Sequence, residues 1–247
     1  MAVNHIRNLV LDAGNTALKV GLFEKKNLVS VFTMGYDDLE PLLKLVRTGI
    51  PDKALMIASS DHGAAIINLL VQTTDIPITE GLKTGPLPFE TDYHTPQTLG
   101  DDRLAGVAGA MAMYGSANSL VVQMGTCITY DLLINGRHLG GAISPGVTMR
   151  FKAMNHFTAK LPLAGQTETT PVFPAKSTLS SLETGVVHGV IAEIESFILQ
   201  ASQHTGKINV ILTGGDAQWF APRLKSAIFA LPNLNLIGLN EILLHRN

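Results

Sequence analysis

Charge is concentrated in the stretch Leu99-Gly-Asp-Asp-Arg103, whose surroundings are small and apolar. Two carboxylates and a guanidinium open a helix that we predict to extend to Tyr114. A carboxylate there can accept the proton of an attacking hydroxyl group, and Arg103 can bind an anionic acceptor through two hydrogen bonds. Alternatively, Asp101 caps the helix, and the negative charge of Asp102 interacts favourably with the helix dipole. The motif therefore predicts either an acid–base site or a helix cap.

Two glycine turns offer backbone N–H groups to an anion. Asp12-Ala-Gly-Asn-Thr16 follows one apolar run, and Gly125-Thr126 follows another. Glycine lets the backbone approach phosphate closely because no side chain stands in the way. One such turn in each half of a duplicated α/β chain can hold a nucleoside triphosphate between two domains, with Asp12 holding Mg²⁺ through water. Two ordinary hairpins are the alternative.

Three weaker signals accompany these motifs. Gly214-Gly215-Asp216 follows an apolar strand and offers bare backbone to a flat ligand such as adenosine, although a purely structural turn fits equally. Asp131 interrupts an apolar strand over residues 128–134, so a role in a site and a structural role are both open. The chain contains no GxxxxGK[ST] motif, and no GxGxxG motif follows a strand, which excludes a Walker-type loop and a dinucleotide fingerprint.

Hydrophobic periodicity predicts the elements that must position these residues. In the first half we expect a hairpin around residues 12–16, a strand over 28–32, a helix over 39–47, a strand over 54–59, a helix over 63–72, a long loop over 76–96 and a helix over 101–114. In the second half we expect three strands between residues 119 and 143, helices over 145–163 and 177–200, a strand over 208–213, a helix over 222–229 and a last strand over 234–239. Strands interleaved with helices indicate an α/β fold, and the repeated three-strand pattern indicates a duplication.

The chain is rich in apolar residues and poor in charge. Of its 247 residues, 46% are hydrophobic and 15% are charged, against roughly 25% charged in typical soluble domains. This length allows one large domain or two small ones. The apolar excess must be buried in a core, in a subunit interface or in both. Together with the Ala- and Gly-rich helix over 104–113, whose small side chains suit close helix packing, it predicts a homodimer.

Charge and cysteine content limit the partners and the compartment. The formal net charge is −2 with no sustained run of either sign, which argues against nucleic acid or an anionic membrane as the main partner. Polar residues interrupt the segment Met1–Val20, so we expect no signal peptide. The single cysteine, Cys127, cannot form an internal disulfide, and we expect a buried, inert thiol in a cytoplasmic protein. His188 and His204 stand singly on helices and are expected at the surface or the core edge.

In order and spacing, the motifs together resemble type III pantothenate kinase. They are Asp12-Ala-Gly-Asn-Thr-x-x-Lys19, Leu99-Gly-Asp-Asp-Arg103, Gly125-Thr126-x-x-Thr129-x-Asp131, Gly140-Gly141-x-Ile143-x-Pro145-Gly146, Ser177-Thr178 and Gly214-Gly215-Asp216. The resemblance implies the acetate and sugar kinase/Hsp70/actin superfamily, with two duplicated ribonuclease-H-like (actin-like ATPase) domains, 1–116 and 117–247, and a cleft between them. It also implies a homodimer that phosphorylates pantothenate with ATP, the first step of coenzyme A synthesis.

The resemblance assigns roles residue by residue. ATP is expected on Asp12, Ala13, Gly14, Asn15, Thr16, Ala17, Leu18, Lys19, Gly125, Thr126, Gly214 and Gly215. Pantothenate is expected on Tyr93, Gly100, Asp101, Asp102, Arg103 and Thr178, with Asp102 as the general base. Mg²⁺ is expected at Asp12, with Asp131 as a further candidate metal ligand.

The sequence departs from the family pattern at two positions. Gln123 stands where the family has an Asp that holds K⁺ or NH₄⁺, and the lost charge predicts either weak activation by such an ion or activity independent of it. Asp101 replaces a usual Ala and adds negative charge near an anionic substrate. Two other functions stay open: a non-catalytic relative that regulates transcription, and a superfamily kinase for another small acceptor or a phosphatase-like member. The presence of Asp12, Asp102 and Arg103 favours an active pantothenate kinase.

Overall fold

The computed structural model describes residues 7–246. The first six residues of the expected domain 1–116 and of the segment Met1–Val20, and the last residue of the expected domain 117–247, lie outside this range. In chain order the elements are β1 (Arg7–Ala13), β2 (Leu18–Glu24), β3 (Asn27–Met34), α1 (Glu40–Arg47), β4 (Lys53–Ala58), α2 (His62–Thr73), β5 (Ile78–Glu80), β6 (Glu90–Thr91), α3 (Asp101–Tyr114), β7 (Ser119–Met124), β8 (Cys127–Ile134), β9 (Arg137–Pro145), α4 (Val147–His156), α5 (Thr178–Thr205), β10 (Asn209–Thr213), α6 (Ala217–Phe220), β11 (Ile228–Ala230) and α7 (Leu234–His245).

These elements form two compact units. The first contains the residues up to Gly115, the segment Gly136–His138 and the residues from Asn233 onward, and the second contains Ser116–Asn135 and Leu139–Pro232. This division differs from the expected domains 1–116 and 117–247. The reason is α7, which follows the second unit in sequence but packs in the first.

The first unit is built on a five-stranded sheet in the order β3-β2-β1-β4-β5. Strand β1 is antiparallel to β2 and parallel to β4, and α1 and α2 contribute Leu42 and Ile66 to the core beside it. The predicted hairpin around residues 12–16 and the helices over 39–47 and 63–72 are confirmed to within a residue or two. The expected loop over 76–96 is partly regular, because β5 pairs with β4 as an edge strand.

Helix α3 packs closely on α7. The small residues of α3 predicted such close packing against another helix. The segment from Arg103 to Ala110 is buried. A Cβ on Gly238 of α7 would collide with the backbone carbonyl of Ala105, so only glycine allows this approach. The expected last strand over 234–239 is therefore wrong, since these residues begin a helix that is buried against α3.

The second unit repeats the topology of the first. Five strands run in the order β9-β8-β7-β10-β11, matching β3-β2-β1-β4-β5, with an antiparallel hairpin followed by parallel strands. The short strand β6 pairs with the first residues of β9 and completes a six-stranded sheet. Val186, Val190 and Ile194 of α5 belong to the core of this unit. The predicted duplication of a three-strand unit is thereby confirmed.

Two helix predictions in the second unit need correction. Residues 222–229 do not form a helix: α6 and a 3₁₀ turn over Ala221–Arg223 precede the strand β11, which pairs with β10. The helix expected over 145–163 ends at His156, whereas the helix expected over 177–200 continues to Thr205. Across residues 7–246, none of the helices has both the length and the apolar character required to cross a membrane.

Candidate active site

The first glycine turn lies at the end of β1 in the first unit. Its carbonyl groups are held by the protein: that of Ala13 accepts the Ser59 N–H at 3.0 Å, and that of Gly14 accepts the hydroxyl of Tyr36. Asn15 and Thr16 at the tip of the turn are exposed. The N–H of Gly14 itself donates to the carbonyl of Ala17 at 3.1 Å. Because the carbonyl groups at the base accept from protein donors, the backbone N–H groups at the exposed tip are the ones placed to face an anion.

The chain itself does not require glycine in either turn. A Cβ on Gly14 would lie 3.4 Å from the nearest atom, the carbonyl oxygen of Ala17, and a Cβ on Gly125 would lie 3.8 Å from the carbonyl oxygen of Cys127. Neither residue has a positive φ angle. Neither the packing nor the backbone conformation of the chain therefore explains why these residues are glycine. Close approach of a ligand to the backbone would explain it.

Asp12 and Asp102 come together in the first unit. Asp12 is half-buried on β1, opposite Lys19 in the hairpin register, and its Oδ2 accepts a hydrogen bond from Asn235 Nδ2 at 3.3 Å. Burial raises the pKa of Asp12, and the nearby Asp102 carboxylate raises it further, while Asn235 and Lys19 oppose the shift. A buried carboxylate beside a second carboxylate suits the binding of a divalent cation.

The backbone at the start of α3 sets the position of the Asp102 carboxylate. Gly100 is the N-cap residue, and Asp102 Oδ1 accepts the N–H of Arg103 at 2.9 Å. A Cβ on residue 100 would collide with this carboxylate, so Gly100 leaves the space that Asp102 occupies. Asp101 is not the N-cap that sequence suggested as an alternative; its Oδ2 accepts the N–H of Leu82 at 3.1 Å.

Arg103 and Tyr93, both expected to bind substrate, are also brought together. The buried guanidinium of Arg103 lies 5.4 Å from the centre of the Tyr93 ring. The Tyr93 ring is nearly parallel to the ring of His138, whose Nδ1 shares a 2.9 Å hydrogen bond with Thr91 Oγ1. A cation over an aromatic ring is held in a fixed orientation, as a recognition group for an anion must be.

In the second unit, the second glycine turn and the Gly214-Gly215 motif are neighbours. Gly125 and Thr126 are exposed between β7 and β8. Gly214 has a φ of 96°, and a Cβ on it would collide with the backbone of Met124, the last residue of β7. The two motifs therefore lie at the same end of the sheet, as one nucleotide site requires.

Two threonines flank Gln123 in the sheet. Gln123 is buried at the end of β7, in register with Thr129 on β8 and Thr213 on β10. The buried Thr129 Oγ1 has no hydrogen-bond partner within residues 7–246. Asp131 is fully buried two residues further along β8. In the same range, no cluster of three or more His, Cys, Asp or Glu side chains is arranged to hold a metal ion.

The remaining candidates have simpler surroundings. Thr178 is the exposed first residue of α5, directly after Ser177, which forms a capping box with Ser180. Cys127 is a free thiol and is half-buried rather than buried as expected. His188 and His204 are exposed, so their expected surface position is confirmed.

Three groups beside these residues were missed by sequence reasoning. Tyr36 follows a strand and belongs to no motif, and Asn235 lies in a segment predicted as a strand. His138 is the second residue of β9 and belongs to no motif either. Each acts through a contact between distant segments. A polar residue inside an apolar run, as Asn235 is, was the one available signal.

Comparison with known proteins agrees with this arrangement. The family model described as type III pantothenate kinase matches residues 8–200. A type III pantothenate kinase of Cytophaga hutchinsonii is 41% identical over 238 residues, which are 96% of this chain and 98% of that protein. Other relatives with the same description are 34–38% identical.

Two solved structures share the fold. A protein described as a Baf-family transcriptional activator of Campylobacter jejuni is 24% identical, with a TM-score of 0.64 over 96% of this chain and 98% of that one. A protein described as a 2-dehydro-3-deoxygalactonokinase of Sinorhizobium meliloti is 14% identical, with a TM-score of 0.53 over 94% and 96%. With the matching topology of the two units, they confirm the expected α/β fold of two ribonuclease-H-like, actin-like ATPase domains. On the evidence of the family model and the relatives, the chain belongs to the type III pantothenate kinases, a family of phosphoryl-transferring enzymes.

Proposed function

We propose that this chain transfers the γ-phosphoryl group of ATP to the primary hydroxyl group of pantothenate. The product is 4′-phosphopantothenate, and the reaction is the first step of coenzyme A synthesis. Beyond family membership, one observation carries the proposal: the carboxylates of Asp12 and Asp102 are close enough for one to raise the pKa of the other. A metal-binding carboxylate beside a general base is what phosphoryl transfer to a hydroxyl group needs.

Asp102 acts as the general base that accepts the hydroxyl proton during attack on the γ-phosphorus. Arg103 binds the carboxylate of pantothenate, and Tyr93 orients the Arg103 guanidinium. The contact between Arg103 and Tyr93 supports these roles. Gly100, Asp101 and Thr178 complete the proposed pantothenate contacts. Asp101 Oδ2 already accepts the backbone N–H of Leu82. Its buried Oδ1 has no hydrogen-bond partner within residues 7–246 and would be the oxygen that accepts a hydroxyl or amide group of pantothenate.

ATP binds through backbone groups of the two glycine turns. The segment Asp12–Lys19 and the pair Gly125–Thr126 receive the phosphates, and Gly214–Gly215 receives the adenosine. The carbonyl groups of Ala13 and Gly14 are already held by Ser59 and Tyr36, which supports N–H donation from the tip of the first turn. The N–H groups of Gly14 and Gly125 donate to the carbonyls of Ala17 and Cys127, so the residues that follow them supply the proposed phosphate contacts. A side chain at position 14 or 125 would fit within the chain itself. Glycine at these positions is therefore explained by a ligand that approaches the backbone closely, which supports phosphate binding there.

Asp12 would hold Mg²⁺ through water, and the bound ion would neutralise phosphate charge during transfer. The residues fit such an ion, because burial and a second carboxylate both raise the pKa of Asp12. A monovalent ion, K⁺ or NH₄⁺, would meet neutral oxygens of Gln123 and Thr129, with Asp131 as the nearest acidic residue on β8. We therefore propose weak or absent dependence on a monovalent ion.

The active form is proposed to be a homodimer in the cytoplasm. The small-residue face of α3 is covered by α7 within the chain, so that face no longer supports a dimer. Support comes instead from large apolar side chains that are exposed along the second unit from β9 to α5: Ile143, Met149, Phe157, Leu163, Val172, Phe173 and Leu179. Burial of such side chains is typical of homodimer interfaces.

A coupled assay of ADP release tests the proposal directly. The purified protein is supplied with MgATP and pantothenate as the sole acceptor, and parallel reactions contain glucose, N-acetylglucosamine or no acceptor. We expect ADP release that depends on pantothenate alone. Equal release with every acceptor, or release only with a sugar, would assign the chain to another kinase activity. Absence of release in all reactions would support a regulatory relative.

A further inference from the structure

A hydrogen-bonded cluster in the second unit joins α5 to the corner between β9 and α4. Glu193 of α5 accepts hydrogen bonds from Tyr130 Oη at 2.7 Å, Ser144 Oγ at 2.5 Å and Arg150 Nη2 at 2.7 Å. Arg150 also donates through Nε to the carbonyl of Pro145 at 2.8 Å. Burial would raise the pKa of Glu193, but the hydrogen bonds from Ser144, Arg150 and Tyr130 outweigh it and lower the pKa. The cluster therefore depends on an ionised carboxylate at its centre.

The corner that this cluster fixes touches the second glycine turn. Gly146 follows Pro145 and donates its N–H to the carbonyl of Thr126 at 3.0 Å. A Cβ on residue 146 would collide with the carbonyl oxygens of both Gly125 and Thr126. Because the two backbones are packed without a gap, a shift at Pro145 and Gly146 must displace the turn.

We propose that Glu193 is a positioning residue for nucleotide binding. By holding Ser144 and Arg150, it keeps the backbone of Gly146 against the turn at Gly125 and Thr126. The inference rests on the proposed function, since it takes this turn to bind ATP phosphate. The side chains of Arg150 and Glu193 are 20% and 25% exposed, so loss of one charge leaves the other in a partly buried place where water compensates poorly.

Glu195 of the same helix provides a matched control. It accepts hydrogen bonds from the backbone N–H groups of Lys225 and Ser226, at 2.5 and 3.3 Å, and from Ser226 Oγ at 2.8 Å. Burial would raise its pKa too, and these bonds lower it. Glu195 thus resembles Glu193 in helix position, in partial exposure and in accepting three hydrogen bonds, although none of its donors is a guanidinium. It holds the segment before β11 instead of the corner beside the turn.

The test compares Glu193→Gln and Glu195→Gln in the full-length protein. The Kd of MgATP is measured by titration calorimetry without pantothenate, the KM values of ATP and pantothenate by steady-state kinetics, and Tm by thermal unfolding. Gly125→Ala serves as a positive control for the role of the turn, because the added Cβ fits the chain but stands where the phosphate would approach. We expect Glu193→Gln to raise the Kd and KM of ATP roughly 5- to 20-fold, as loss of hydrogen bonds to a charged group suggests. The KM of pantothenate should change less than about twofold, and Glu195→Gln should leave all three constants unchanged.

Equal effects of the two glutamate variants on ATP binding, or no effect of Glu193→Gln, would overturn the inference. So would a Gly125→Ala variant with unaltered ATP affinity. If Glu193→Gln does not fold, Ser144→Ala, which removes one donor only, decides the matter: a higher Kd for ATP is expected, and an unchanged Kd contradicts the proposal. A wild-type protein that binds ATP but does not phosphorylate pantothenate refutes the proposed function alone, because the binding comparison still stands.

Discussion

The carboxylate of Asp102, at the start of α3, lies close enough to Asp12, at the end of β1, to raise the pKa of Asp12. Burial of Asp12 acts in the same direction and is the larger effect. Two carboxylates in this arrangement repel each other unless a cation lies between or beside them. The arrangement therefore costs the protein stability and prepares it to bind a divalent ion.

Asp12→Asn is expected to stabilise the protein without ligands while abolishing activity. The substitution keeps the size of the side chain and removes the buried charge. We expect Tm at neutral pH to rise by about 2–4 °C, the change that roughly 1 kcal/mol produces in a chain of this size. Thermal unfolding followed by circular dichroism, in the absence of Mg²⁺ and ATP, measures this directly.

The pH dependence of that difference has a definite sign. The pKa of Asp12 is raised in the folded state above its ordinary value of 3.8. Below the ordinary value the carboxyl group is neutral in both states, and wild type and Asp12→Asn should have similar Tm. As pH rises through the raised pKa, wild type should lose stability relative to the variant. A Tm difference that shrinks with rising pH would contradict this account.

Asp102→Asn is expected to keep ATP binding and to lower kcat by roughly 10²-fold or more, the usual contribution of a positioned base. The amide fits the space beside Gly100 but cannot accept the hydroxyl proton. Steady-state kinetics and ATP titration separate the two effects. Asp101→Asn, on the neighbouring residue proposed to contact pantothenate, should change mainly the KM of pantothenate and leave kcat near the wild-type value. Turnover of Asp102→Asn near the wild-type rate would remove Asp102 from the role of base.

Tyr36→Phe is expected to weaken ATP binding through the first turn. The hydroxyl of Tyr36 donates to the carbonyl of Gly14, and its ring stacks on His62 with centres 3.9 Å apart. Loss of one such hydrogen bond, worth about 1 kcal/mol, predicts an approximately fivefold higher KM of ATP with little change in the KM of pantothenate. Tyr114→Phe, at the far end of α3, is the control. Equal effects on both substrates would indicate a general loss of structure instead.

Gln123→Asp is expected to strengthen activation by K⁺. At an effective dielectric constant of about 20, a charge about 4 Å from an ion contributes on the order of 4 kcal/mol before desolvation. The wild-type protein should therefore show weak, high-millimolar activation or none. KCl is titrated against ADP formation at fixed ionic strength, balanced with choline chloride, and Gln123→Asn controls for side-chain size. Wild-type activity that saturates at low-millimolar K⁺ would show that oxygens such as Thr129 Oγ1 suffice.

Local patterns were enough to predict the elements that hold the site. The apolar runs on either side of Asp12 and Gly125 indicated hairpins, and the structure contains both. The polar start of α3 was evident because it interrupts small apolar residues. Such signals depend only on residues that are close in sequence, so a single sequence is enough to detect them.

Contacts between distant segments could not be predicted in the same way. The apolar run from Leu234 to Leu239 is short and alternates enough to favour a strand, and only its packing against Ala105 of α3 shows why a helix with Gly238 forms there. Because that helix was missed, the bond from Asn235 to Asp12 was missed as well. The contact between Tyr36 and Gly14 joins two segments with no shared motif.

The most direct test of the proposed function is the stoichiometry of its two products. ADP and 4′-phosphopantothenate are quantified by mass spectrometry in the same reaction of the wild-type protein with MgATP and pantothenate, and again with Asp102→Asn. We predict one molecule of 4′-phosphopantothenate for each ADP, with both falling together in the variant. ADP formation without phosphorylated pantothenate, or equal yields from the two proteins, would contradict the account.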